Sequence, residues 1–115
     1  MKLSDAIEQG KKLIKNQTRY SYVKYGKNGL QACAIGAAYL ALNPDKVDVI
    51  KEKGSARGYG NAVYNWFILD AEIPQDVIFK ITWWNDNEQM TLDEVVAALR
   101  APNAVHLDRE VEVTS

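Results

Sequence analysis

From Ala32 to Leu42 the chain reads Ala-Cys-Ala-Ile-Gly-Ala-Ala-Tyr-Leu-Ala-Leu, with no charged or amide side chain between Gln31 and Asn43. A surface helix keeps one polar face, so a helix that is apolar all round must be covered by its own domain or by lipid. Spanning a bilayer takes about 20 residues, and this stretch is too short. The cover is therefore protein. Cys33, Gly36, Ala37, Ala38 and Ala41 have little bulk to hold neighbours away, so other helices can come close to this backbone. The rest of the chain is read as the wrapping of a buried helix at 32–42.

The wrapping is mainly helical. Ser4 is placed to cap a first helix running to about Asn16, with Asp5 and Glu8 at its positive end and Lys11, Lys12 and Lys15 at its negative end. Residues 19–25 are rich in strand formers, and Gly26-Lys27-Asn28-Gly29 carries a tight-turn signal, which predicts a short β arm near 19–30. Asn43-Pro44-Asp45 ends the buried helix and starts a short one that stops at Gly54. The glycine-bearing stretch 55–60 reads as a flexible connector. It lacks the lysine and the preceding strand of a phosphate-cradling loop. Ala62, Val63, Trp66, Phe67 and Leu69 recur at helical spacing up to Asp70. Pro74 opens a helix at about 75–85, and Thr91 with Glu94 forms a capping box for a partner helix at 92–100. The expectation is one mainly α domain, residues 1–103, with about five helices. The tail 104–115 alternates weakly through Val105, Leu107, Val111 and Val113, which fits an edge strand against 19–25 or a partly disordered end.

Composition narrows the chemistry. A chain of 115 residues with 47% hydrophobic and 25% charged side chains can bury one core unaided. One cysteine rules out an internal disulfide, and one cysteine with one histidine cannot complete a structural zinc site. Asn85-Asp86-Asn87 fits a helix end, which is favoured over partner or ligand binding by Asn85 and Asp86. Asp86 and Glu88 lack the spaced oxygens and glycine of a calcium loop. No metal and no cofactor is implied. The first residues hold no apolar run like that of an export signal, so a cytoplasmic setting without membrane contact is expected.

Cys33-Ala34-Ile35-Gly36-Ala37, Trp84-Asn85-Asp86, Thr91 and Glu94-Val95 through Leu99 together resemble a family of small uncharacterised proteins of bacteria and their phages. That family's pattern is Cys-Ala-Leu-Gly-Ala, then Trp-Asn-Asp, four residues, Thr, then Glu-Val and a Leu. The chain departs from it at Met90, where the family often has Arg, and in the tail after Pro102. The resemblance implies a fold and a bacterial cytoplasmic setting, or the host cytoplasm for a phage-encoded chain. It implies no reaction.

Three functions compete. A cysteine-dependent enzyme would use Cys33, at a helix start beside Gln31, with His106 as its base. The apolar flanks of Cys33 favour a structural thiol instead. A nucleic-acid binder would use the basic first 30 residues, +5 in net charge against −6 for the remainder, where Lys11, Lys12, Lys15, Arg19, Lys24 and Lys27 interleave with Tyr20, Tyr22 and Tyr25. The overall pI of about 5.8 argues against it. The favoured reading is a non-enzymatic interaction or regulatory module, such as a phage accessory protein acting on a host factor. In the helix at 75–85, Val77, Ile78, Ile81 and Trp84 form one stripe, whereas Phe79 and Trp83 fall on the other side among polar residues. Either the arm or the tail folds over that pair, or the pair contacts a protein partner or a second copy of the chain.

Overall fold

The computed structural model describes residues 1–53 and 59–112, so the stop expected at Gly54 and most of the connector expected at 55–60 lie outside the described residues. The described residues form six α-helices and a small three-stranded sheet, the mainly α single domain that the sequence suggests. The chain runs α1 (Leu3–Lys11), β1 (Asn16–Gln17), β2 (Val23–Gly26), β3 (Gly29–Ala32), α2 (Ala34–Leu42), α3 (Asp45–Lys53) and α4 (Tyr59–Asn65). A π-helical turn (Trp66–Asp70) continues α4, and α5 (Gln75–Asp86), α6 (Leu92–Arg100) and a 3-10 turn (Pro102–Ala104) complete it. Among the described residues no helix is long and apolar enough to cross a membrane.

Helix α2 is the centre. Every residue in it except Ala41 is buried. It begins at Ala34 because Gly29–Ala32 is used as β3, and Cys33 caps it, its Sγ accepting from the Gly36 N–H at 3.4 Å. The small residues act as the sequence indicates. A Cβ on Gly10 of α1 would lie 1.8 Å from the Ala37 carbonyl oxygen, and one on Gly36 would lie 1.7 Å from that of Tyr22. Helix and arm thus lie directly on the α2 backbone.

In the sheet, β3 is central, antiparallel to β2 and parallel to β1, with Gln31 between Lys24 and Asn16. The hairpin closes through Gly29, whose φ of +83° is open to glycine and strained for other residues.

Helix α1 is shorter than expected and is capped from afar. Ser4 lies inside its first turn, where its N–H and hydroxyl donate to the two carboxylate oxygens of Asp108 at 2.8 and 2.7 Å. The tail as far as Glu112 is therefore part of the fold, and Val113 lies outside the described residues. Ala104, Leu107 and Val111 are buried, and the bridge Lys2 to Glu110 joins the tail to the N-terminus rather than to the arm at 19–25. Leu69 also departs from expectation. It is 72% exposed, because two residues beyond buried Phe67 a helical backbone turns it to the opposite side.

On α5, Val77, Ile78 and Ile81 are buried and Trp84 packs against the core. Leu92, Val95, Val96 and Leu99 bury one face of α6, whose capping box is complete, with Thr91 Oγ1 accepting from Glu94 N–H and Glu94 accepting from Thr91 N–H.

Gly36→Ala is expected to lower the unfolding free energy by about 2–3 kcal/mol, because the clash is with backbone that cannot move aside. Gly26→Ala, which meets nothing within 4 Å, should change it by less than about 0.5 kcal/mol. Urea unfolding midpoints of the two variants check the comparison.

Candidate functional site

The segment Trp84-Asn85-Asp86 closes α5, but its side chains do more than end a helix. Asn85 is fully buried. Its Oδ1 accepts from Gln17 Nε2 at 2.7 Å and from the Ala34 N–H at 3.0 Å. Its Nδ2 donates to the Thr18 carbonyl at 3.0 Å and to Asp86 Oδ1 at 2.7 Å. One carboxamide therefore satisfies the free N–H at the start of α2 and ties β1 to the end of α5. Gln17 extends the network, donating to the Met90 carbonyl and accepting from the Leu92 N–H. Arg19 donates to the Asn85 and Gln89 carbonyls, satisfying acceptors that a helix end leaves open.

Asp86 faces the other way. Its Oδ1 also accepts from the Tyr20 N–H at 3.0 Å. Tyr20 sits at φ +64°, a left-handed conformation that costs a bulky residue about 1–2 kcal/mol. Its ring is held out at 75% exposure. Between Tyr20-Ser21-Tyr22, Gly60, Asn61 and Tyr64 of α4, and Thr82 and Asp86 of α5 lies a pocket of about 590 Å³, with Cys33 also in its wall. Aromatic rings and one carboxylate dominate it. No basic side chain lines it among the described residues. Thr82 Oγ1 is buried without a hydrogen-bond partner of regular geometry, although it lies beside Tyr22.

The electrostatics keep the phenol and the thiol neutral. Burial pushes Tyr22 above the ordinary phenol value, and nearby Cys33 adds to this. Burial likewise pushes the Cys33 thiol up to about 12, outweighing the stabilising Gly36 N–H, and the Asp86 charge raises it further. A nucleophilic cysteine needs the opposite surroundings. His106 is exposed in the turn beyond Ala104 and does not line the pocket. Cys33 is thus buried in a wall that exposed His106 does not share.

The six basic candidates do not form one surface with the tyrosines. Lys11 is paired with Asp93 at 2.8 Å, and Arg19 is committed to the carbonyls at the end of α5. Strand alternation puts exposed Lys24 on the face opposite Val23 and Tyr25. Tyr20 and Tyr22 line the Asp86 pocket, whereas Lys11 and Lys15 line a different depression beside Thr91 and Asp93. Lys12 and Lys27 are exposed without an ion-pair partner among the described residues. The interleaving seen in sequence is divided between faces of the fold.

Phe79 and Trp83 are 53% and 52% exposed, covered by neither the tail nor the arm, and Phe79 stacks on Tyr64 with ring centroids 6.2 Å apart. They share the α5 face of Thr82 and Asp86, three and four residues apart. Among the described residues no group of three or more potential metal ligands is assembled.

No family model, curated protein or solved structure matches the chain.

Sequence reasoning missed Gln17, Tyr64 and Thr82, and it assigned Asn85 and Asp86 to helix termination. Tyr20 and Tyr22 stood out only as members of a basic region. The usable signal was an adjacent Asn-Asp pair placed directly after a core tryptophan, where both side chains can turn inward.

Asn85→Ala is expected to destabilise the fold by about 3 kcal/mol or more, since several buried partners lose their bonds at once. Chemical unfolding measures this. Cys33 gives a pH signature. Its raised folded value means that its contribution is complete below the ordinary thiol pKa of about 8.5 and is lost as pH rises toward about 12. Above about pH 9, wild type should lose about 1.4 kcal/mol per pH unit relative to Cys33→Ala, as measured by unfolding of both at each pH.

Proposed function

We propose that the protein is a non-enzymatic interaction or regulatory module. In the setting that its family resemblance implies, it acts as a bacterial or phage accessory protein on a host protein. The observation that carries this reading is the exposed pair Phe79 and Trp83 on the same α5 face as the pocket that holds Asp86. Large aromatic side chains exposed together cost solvation and are enriched at the anchors of protein interfaces. The neutral Cys33, buried in a wall that His106 does not share, speaks against the enzyme reading. The division of lysines from tyrosines speaks against the nucleic-acid reading.

The test is quantitative. Phe79→Ser with Trp83→Ser should leave the melting temperature within a few degrees and weaken association by on the order of 2 kcal/mol. Association is measured by capture from nuclease-treated bacterial lysate, and self-association by sedimentation. Equal capture by wild type and the double variant, or a sharp drop in melting temperature, removes the pair from the interface.

A further inference from the structure

Asp86 is a carboxylate only 7% exposed, and its hydrogen-bond donors, Tyr20 N–H and Asn85 Nδ2, both go to Oδ1. Among the described residues Oδ2 has no partner and no cation pairs with the group. Buried charges are ordinarily paired, because removing an ion from water is costly. The bond to Tyr20 occupies Oδ1 alone, and an asparagine oxygen could accept it in the same place, though more weakly. Among the described residues the carboxylate thus has a spare oxygen and no paired cation, beside a 590 Å³ pocket.

The walls narrow the occupant. Tyr20, Tyr22 and Tyr64 present aromatic surface, which attracts organic cations through the negative face of the ring. A single carboxylate does not make a site for a hard divalent ion, which wants several oxygen ligands. Tyr20, in the same wall, is held in a strained conformation by the same carboxylate. Strain fixed by a buried charge at a cavity is the pattern of a preformed site.

We propose that this pocket receives a basic side chain, arginine or lysine, of a protein partner, with its charge on Asp86 and its stem between the tyrosines. This rests on the interaction-module reading for the source of the cation, because the pocket shares the α5 face of Phe79 and Trp83. Charge complementarity selects a basic segment.

The probe is acetyl-arginine methylamide, titrated into the isotope-labelled full chain and followed by amide NMR, with acetyl-citrulline methylamide as its neutral counterpart. The expected result is saturable shifts at Tyr20 and Thr82 with the arginine compound, and about tenfold weaker response to citrulline. Asp86→Asn should abolish the difference between the two compounds. Should that variant fail to fold, Tyr20→Gly serves instead: glycine accepts the left-handed backbone, so the fold survives while the arginine response weakens several-fold. Equal responses to the two compounds, shifts confined to residues away from the pocket, or an arginine response unchanged in Tyr20→Gly would overturn the proposal. Neither compound is a protein, so a failed titration leaves the Phe79 and Trp83 result standing. A failure of that double variant leaves the titration intact.

Discussion

The buried carboxamide of Asn85 is the contact on which the arrangement of the remaining elements depends. It meets the first N–H of α2, the Gln17 side chain, the Thr18 carbonyl and Asp86, and so fixes the helical hairpin of α5 and α6 against the sheet and the central helix. Apolar packing alone does not set such a register. The α2 surface mixes alanine and glycine with Ile35, Tyr39, Leu40 and Leu42, and apolar burial is non-directional. A polar network with every group satisfied has one good geometry, because a shift of even one residue leaves buried donors and acceptors unpaired. The core supplies attraction, and Asn85 supplies position.

Close approach makes that network reachable. With Gly36 against Tyr22, the arm sits near enough to α2 for a short amide side chain to bridge them. A larger residue at Gly36 would push the arm outward and open the distances from Asn85 to Thr18 and Gln17. The same approach brings Tyr22 over Cys33 and creates the wall of the pocket. The glycines of the core and the polar groups of the site therefore belong to one geometric solution, although they are far apart in sequence.

Much of this was legible beforehand and some of it was not. The buried helix, the hairpin at 26–29, the capping box at Thr91 and the α5 stripe follow from local rules, in which a residue's neighbours in sequence decide its place. The exposure of Phe79 and Trp83 followed from angular position on one helix. What escaped is non-local. The cap of α1 comes from Asp108, and no local pattern around Ser4 announces a carboxylate from the other end of the chain. The tail pairs with the N-terminus for the same reason. Tyr20 and Tyr22 were grouped with lysines that the strands and turns then carried to other faces. Asn85 and Asp86 were assigned to a helix end because both residue types suit one. Only the approach of the arm shows that their side chains point into the protein.

Asn85 and Asp86 divide between them the two tasks of holding a fold and presenting a site. Asn85 is neutral, buried and fully used, as a structural hub should be. Asp86 is charged and only partly used. Its bond to the Tyr20 N–H, a charge-assisted bond worth about 1.5–3 kcal/mol, is large enough to offset the roughly 1–2 kcal/mol of left-handed strain at that residue. The offset lets an aromatic ring stand exposed at a fixed place beside the pocket, where a relaxed backbone would leave it free to move. The carboxylate in turn is held by Asn85 Nδ2, so the orientation of Tyr20 is set two bonds away by the same amide that fixes α2. Rigidity in the core is thereby passed to the lip of the pocket through a chain of short hydrogen bonds, all of which reach Asp86, among the described residues, at Oδ1.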